Sequence, residues 1–398
     1  MPNALIYLPN FIGHRQVHAF IHSHILTELG YKIFIAGNFS NKAKNSFYLD
    51  KLIEDEKIIK IDTNTFSGNG KHINNAEFIQ LQETFNIDLT IFAEADNHIP
   101  LFISQLIPKN KRLKGRVVGI FLRPWHFYRK LDFISKLKYI AGLRKTWKID
   151  SRLFHEFFNK KFNLLDSTLH LDDFFVSKHK ECTWLPDVWQ EYADKLVPEA
   201  KSDQRIWIER LDAFKEINKG RQIIFYFGTA QKRRGYDILL KLAIDHDACF
   251  IHCGLRNEVE KFNFDIHELR GILSNENRLF ENNEFLTDPY CIEYFFKSVS
   301  HIVLPYDASF LGSSGVMLQA LSYGIPVLVR DAGLIGFQVK KYNLGLTFND
   351  RLNLYDQFKR FIEIPTETYS DSIKKYMTYQ SVDRFEQVLI DSFKNKSK

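Results

Sequence analysis

No stretch of this 398-residue chain stays apolar for the ~20 residues that a membrane-spanning helix needs. Met1 to Phe20 lacks a basic leader and an uninterrupted apolar core, because Pro9, His14 and Arg15 break it early. A secretory signal is therefore not expected, and a cytoplasmic location is. Cysteine is scarce, and Cys182, Cys249, Cys253 and Cys291 show neither zinc nor redox spacing, so buried thiols are expected in place of a metal site. Internal repeats, low-complexity tracts and any recognised nucleic-acid-binding signature are missing too, and no nucleic-acid partner is expected. Acidic residues are depleted in one region. Between Lys109 and Lys161, 16 Lys or Arg stand against only Asp132, Asp150 and Glu156, while the whole chain carries a formal charge of just +6. Such a segregated cationic block is the footprint of an anionic partner.

What is present reads as a globular protein, with 45% apolar and 26% charged residues. The length exceeds what one hydrophobic core usually supports, so two domains are expected. The N-terminal half alternates strand and helix patterns. Leu5–Leu8, Lys32–Ala36, Ile58–Ile61, Leu89–Ala93 and Gly115–Leu122 read as strands, His18–Leu29 as a helix stopped by Gly30, and Phe174–Val176 as the strand that closes the sheet. After a polar lapse around Val197–Asp203 a second series begins. Gln222–Phe227, Ala248–Cys253, His301–Pro305, Pro326–Val329 and Leu344–Phe348 read as strands, and Val382–Phe393 as an amphipathic helix. The expected architecture is α/β, with two Rossmann-like doubly wound domains facing a cleft. Residues 1–200 form the first domain, joined by a returning C-terminal helix at 377–398, and residues 205–376 form the second. Ligands of such sheets bind where loops leave the carboxyl ends of strands, so the cleft is the expected site.

Two stretches carry the chemistry. In LPYDASFLGSSGVMLQALSYGIPVLV (304–329), a strand runs into Gly312-Ser313-Ser314-Gly315, which opens a helix. Small residues let backbone approach a ligand, and the unpaired N–H groups of a helix start suit a diphosphate. The plain alternative is a strand–turn–helix with small packing residues. In GTAQKRRGYD (228–237), a strand is followed by Lys232, Arg233 and Arg234 and a closing Gly235. Cations there can neutralise phosphate without a metal, the alternative being a solvated basic turn.

Together these stretches resemble the GT-B glycosyltransferases of the large retaining, nucleotide-sugar-using group. Gly228 and Gly235 stand at the two glycines of that group's Gly-Arg-x(5)-Lys-Gly-like loop, with Arg234 at the lysine position. LQALSYGIPVLV resembles its Glu-Ala-x-x-x-Gly-x-Pro-Val-Val block through Ala320, Gly324, Pro326 and Val327. Gly13 resembles the glycine that lets donor phosphates approach the first helix, VVGIFLRPWH resembles the strand that delivers a histidine to the sugar, here His126, and LPDVWQEY resembles the segment before the interdomain linker. Two positions depart from the pattern. Thr229 replaces the loop arginine, and the group's two glutamates fall on Leu311 and Gln319. Gln319 can still hydrogen-bond a ribose hydroxyl, and Asp307 is the nearest carboxylate able to stand in for the other.

The resemblance implies transfer of a sugar from a nucleotide-diphospho-sugar to an acceptor hydroxyl, with retained stereochemistry, no metal and no further cofactor. The base is expected near Glu284 and Phe285. The diphosphate is expected on Gly228, Thr229, Lys232, Arg234 and the Gly312–Gly315 helix start, and His126 at the sugar. His14 and Arg15 are read as substrate or phosphate contacts. His14, His18 and His22 share one helix face, a spacing that also fits a metal, although no partner cluster accompanies them. Within Lys109–Lys161, residues 127–148 fit either a basic amphipathic helix on an anionic membrane or a solvated helix over the core. The acceptor is expected to be a carbohydrate or a lipid-linked molecule of polysaccharide or glycolipid assembly. A nucleotide-sugar epimerase and a non-catalytic binding partner are the rival readings.

Overall fold

The computed structural model describes residues 1–11, 15–39, 47–55, 57–63, 74–122, 154–196, 204–257, 259–284, 286 and 288–394. Of the expected site residues, Gly13, His14, His126 and Phe285 lie outside these, as does the amphipathic stretch 127–148. The chain divides into two compact units, Met1–Val197 with Gln380–Lys398, and Pro198–Tyr379. Among the described residues no helix is long and apolar enough to cross a membrane.

The first unit is built on β1 (Asn3–Asn10), β2 (Lys32–Asn38), β3 (Ile58–Asp62), β4 (Leu89–Phe92), β5 (Arg116–Phe121), β6 (Ser167–His170) and β7 (Thr183–Trp184). These pair in the order β3-β2-β1-β4-β5-β6-β7, every pair parallel. The chain winds outward from β1 to β3, returns beside β1 as β4, and winds outward again, so a topological switch lies between β1 and β4. Helices cover both faces, which is why Leu89–Phe92 is buried along its whole length, its one polar side chain, Thr90, accepting from Gln82 Nε2 at 2.9 Å.

The expected closing strand at Phe174–Val176 is instead part of a helix, Asp173–Lys178. Asp172 decides this locally, because its carboxylate accepts from the amides of Phe174 and Phe175, both at 3.1 Å. An N-cap of this kind contributes about 1 kcal/mol and outweighs the strand preference of Phe-Phe-Val. The sheet is closed by β6 and β7 on either side of that helix.

The helix Arg15–Glu28 buries Val17, Ile21 and Ile25, and with them His18 and His22. His18 stacks on Trp189 at 3.9 Å between ring centroids, and His22 meets Trp189 and Phe393 edge-on. Phe393 belongs to the helix Val382–Lys394, which contributes Phe385, Leu389 and Phe393 to this core, each with no exposed surface. Its last carbonyls are held in turn: Arg116 Nη1 donates to the Phe393 carbonyl at 2.7 Å.

The second unit repeats the plan with β8 (Ile223–Phe227), β9 (Cys249–Cys253), β10 (Leu279–Asn282), β11 (Ile302–Leu304), β12 (Val327–Arg330) and β13 (Gly345–Phe348). They form two three-stranded parallel sheets, β10-β9-β8 and β11-β12-β13. Phe225 and Tyr226 of β8 and Val303 and Leu304 of β11 line one narrow recess, so the two sheets abut along β8 and β11. Read across, the order is again doubly wound, and its switch lies between β8 and β11.

Two glycines make this junction possible. Gly235 has φ +73°, and a Cβ there would sit 2.6 Å from the Pro305 carbonyl oxygen; Gly254 has φ +143°, and a Cβ would sit 2.2 Å from the Gly228 carbonyl oxygen. Backbone lies against backbone at both places, where only hydrogen fits.

Two outcomes are expected. Gly254→Ala should destabilise the second unit by more than about 2 kcal/mol in denaturant unfolding, through both strain and collision. The second concerns acid. Burial lowers His22 from 6.5 to about 3, so it stays neutral in the folded chain while the unfolded chain takes up a proton near 6.5. Stability is therefore lost as pH falls from about 6.5 towards 3. His22→Leu should remove about 2 kcal/mol of the loss measured between ~pH 7 and ~pH 5.

Candidate functional site

The loops leaving β8 and β11 meet at the switch of the second unit. The Asp307 amide donates to the Arg233 carbonyl at 2.8 Å, which ties one loop to the other. In the β8 loop, the Tyr226 hydroxyl donates to the Thr229 carbonyl at 2.8 Å and accepts from the Gln231 amide at 3.1 Å, fixing the turn from beneath. Lys232–Arg234 then form one short helical turn, ended by Gly235 before the helix Tyr236–Asp245 begins. The Arg234 guanidinium lies over Gly228, where any Cβ would come within 2.6 Å of its Nη1. Lys232 and Arg233 are exposed and Arg234 is half-buried. Among the described residues none of the three has a carboxylate within ion-pairing distance. Three cations without a salt-bridge partner among the described residues, at a strand's carboxyl end, attract an anion.

The β11 loop is folded around Tyr306. Its buried hydroxyl lies 3.0 Å from Ser314 Oγ, and Ser314 Oγ accepts from the Met317 amide at 3.2 Å as the N-cap of the helix Gly315–Ser322. The Ser314 side chain, expected at the diphosphate, is thus engaged in holding the helix. What this turn can offer an anion is main-chain N–H at Gly315 and Val316, which have no intrahelical acceptor by helix geometry. Arg234 reaches the same place: it lines the narrow recess together with Val316 and Tyr306. Burial pushes the Tyr306 hydroxyl up, and Arg234 and Arg233 pull against that shift. The helix start and the cationic turn are therefore neighbours.

Leu311, at the position of an expected glutamate, is buried at 4% exposure. Its backbone packs on Gly333, and its carbonyl accepts from the Leu334 amide at 3.0 Å. The residue anchors the loop to the unit's core and presents nothing to a ligand. Asp307 is exposed, and the Ser309 side chain, followed by the Ser309 amide that donates to its Oδ1 at 2.8 Å, holds its carboxyl below the usual range. Gln319 lies one turn beyond Gly315 on the same helix face, half-buried. Glu284 is exposed, and its Oε1 accepts from the Trp207 indole N–H.

Sequence reasoning passed over several residues that shape this site. Arg330 donates from Nε to the Tyr306 carbonyl and from Nη1 to the Asn349 carbonyl, both at 2.8 Å, bracing the β11 loop against the end of β13. His252 and Gly254, at the end of β9, both touch the Gly228 carbonyl. A histidine inside the apolar pattern of β9 was the one available signal.

In the first unit, Arg15 stands at the switch between β1 and β4, but its fork is occupied. Nε and Nη2 each donate to Glu94 at 2.8 Å, and Asn97 Nδ2 donates to the same carboxylate at 2.8 Å. Glu94 offsets the charge of Arg15, the residue expected to contact substrate or phosphate. His18 and His22 serve packing. A different cluster has metal-binding chemistry: buried His155, His170 and Cys182 offer donor atoms within 4.8 Å of one another. His155 Nε2 lies 3.0 Å from His170 Nε2, and Cys182 Sγ lies 3.9 Å from His155 Nδ1. Burial drives His155 down to about 3 and Cys182 up to about 12, so the three also satisfy one another as a neutral hydrogen-bonded chain. The described part of the basic block is partly compensated, with Lys111 and Lys114 both paired to Glu83 at 3.2 and 3.0 Å.

No family model matches the chain, and no curated protein matches it in sequence. Solved structures do. A glycosyltransferase from Rickettsia africae aligns over 99% of each chain with a TM-score of 0.61 and 12% identity. WaaG, a glycosyltransferase involved in lipopolysaccharide biosynthesis, aligns over 99% of this chain and 100% of its own, at 0.58 and 12%. HepE from Anabaena, solved with UDP, aligns over 99% and 98%, at 0.59 and 13%. At such identities the likeness concerns architecture, and the architecture is that of the two-domain, Rossmann-like GT-B glycosyltransferases.

Proposed function

We propose that this protein is a glycosyltransferase that moves a sugar from a nucleotide-diphospho-sugar to an acceptor hydroxyl. The observation that carries the reading is the meeting of Arg234, with two further unpaired cations, and the start of the helix Gly315–Ser322 at the switch between β8 and β11. The neighbours support the ligand class: HepE was solved with UDP, and so was MnaA from S. aureus.

In this reading the pyrophosphate rests on Arg234, Lys232 and the first-turn amides of the helix. Negative charge grows on the leaving phosphate as the anomeric C–O bond breaks. Fixed cations and N–H groups then stabilise the transition state more than the ground state, which is what accelerates the step. The group transfer needs no metal in this scheme. Gln319 and the Glu284 region take the nucleoside, and the first unit takes the acceptor, a carbohydrate or lipid-linked hydroxyl. Retention of configuration belongs to the same proposal. The buried Leu311 favours one rival, a binding protein without turnover, because no carboxylate occupies its place.

Turnover separates the two. A thermal-shift panel of UDP-, GDP-, ADP- and dTDP-sugars should show one donor class raising Tm, since a ligand at a hundred times its Kd adds about 2.7 kcal/mol. Arg234→Ala should weaken that donor at least about tenfold and abolish transfer while leaving unfolding unchanged. Binding without transfer to any sugar or lipid acceptor would establish the binding protein, and no binding at all would end the reading. Membrane docking through 109–161 is part of the proposal; vesicles rich in anionic lipid should sediment the protein at low salt, and failure to do so removes that part.

A further inference from the structure

The group that this chain uses where a loop arginine is expected can be traced through the peptide bond between Gly228 and Thr229. The Gly228 amide donates to the Cys253 carbonyl at 2.7 Å, and the Gly228 carbonyl lies 3.0 Å from His252 Nε2. Both polar groups of Gly228 therefore face β9. A carbonyl only accepts, so Nε2 carries the hydrogen of this contact. Gly254 closes on the same oxygen so tightly that a Cβ there would lie 2.2 Å away. The carbonyl has no other direction to take.

The described backbone contains no cis peptide bond. In a trans peptide the carbonyl and the following N–H point in opposite directions. Turning the Gly228 carbonyl towards β9 thus turns the Thr229 N–H away from β9, to the β11 side, where Arg234 and the helix start stand. The neighbouring groups of the turn are all engaged. The Thr229 carbonyl accepts from Tyr226 and the Ala230 amide donates to the Leu255 carbonyl at 2.9 Å, while the Thr229 amide has no protein acceptor among the described residues.

His252 is itself held in place. It is wholly buried, its ring lies against Tyr226 and Tyr236, and Nδ1 faces Glu281 Oε1 at 3.7 Å. Glu281 is fixed by Nη2 of Arg256 and of Arg270, each at 2.6 Å, and by the Tyr236 hydroxyl at 3.2 Å. Burial opposes charge on Glu281, but the neighbouring His252, Arg270 and Arg256 prevail and carry it down to about 2.

We infer that His252 is a positioning residue that aims the Thr229 N–H into the switch between β8 and β11, where it donates to a pyrophosphate oxygen of the donor. The main chain thereby supplies at Thr229 the contact that a side chain supplies in the resembled group. This inference rests on the nucleotide-sugar reading above and names one of its contacts.

The test uses the full chain labelled with 15N-threonine, with inorganic pyrophosphate as a base-independent probe and UDP, GDP, ADP and dTDP beside it. Wild type should bind pyrophosphate, and the Thr229 amide resonance should move downfield on titration. His252→Leu should weaken pyrophosphate about tenfold and abolish that movement. His252→Gln, which can place an N–H near the original Nε2, should keep affinity within about threefold and keep the movement. Unchanged affinity in a folded His252→Leu chain, or a Thr229 amide that stays still while wild type binds, overturns the inference and leaves the functional reading standing. If His252→Leu does not fold, the wild-type and His252→Gln titrations decide. Wild type that binds neither pyrophosphate nor any of the four nucleotides overturns the functional reading, and the inference with it.

Discussion

The second unit depends on main chain packed against main chain at the carboxyl ends of β8, β9 and β11. Gly254 sits on the Gly228 carbonyl and Gly235 sits on Pro305, at distances no side chain tolerates. These contacts set how near the two loops approach, and the loops carry the cationic turn and lead into the helix start of the candidate site. Glycine is used here for the space its missing Cβ leaves, as well as for its positive φ. Because interiors are close-packed, a shift of a few tenths of an ångström at these carbonyls would move Arg234 relative to the helix start.

The two switch points treat positive charge in opposite ways. In the first unit a bidentate carboxylate neutralises Arg15, and Asn97 completes the shell around Glu94. In the second unit Lys232, Arg233 and Arg234 stand without such partners among the described residues. A fixed charge left unpaired loses stability that a salt bridge and its hydrogen bonds would add, so its persistence at a strand end is understandable where an anion completes it. Glu281 illustrates the alternative two strands from β8, with two arginines converging on a single carboxylate. Charge is abundant on this side of the unit, and its pairing marks the places where a ligand has room.

Strands such as β8, β9 and β12 were legible in the sequence because burial on both faces demands largely apolar runs, and the glycine-bounded loops after β8 and β9 were legible because only a few residue types permit such turns. The local contest at Phe174–Val176 was misread: three strand-forming residues lost to the carboxylate of Asp172 immediately before them. Partnerships across long separations left no local trace. Nothing near Arg15 announces Glu94, 79 residues away, and the spacing of His155, His170 and Cys182 fits no metal motif although their side chains converge. Small residues at Ser313-Ser314 let backbone approach a ligand, and the use of Ser314 Oγ as a helix cap shows only in the bond from the Met317 amide.

The helix Val382–Lys394 belongs to the core of the first unit, yet in the chain it follows the whole of the second. Phe385, Leu389 and Phe393 complete the surface around Trp189 and Tyr192, so a nascent chain emerging from the ribosome leaves that surface open until the whole second unit has been made. The second unit, contiguous from Pro198 to Tyr379, can close its own core earlier. The core begun first is therefore completed only after the second unit has been made, and loss of Val382–Lys394 would open a core whose other residues all precede that unit in sequence.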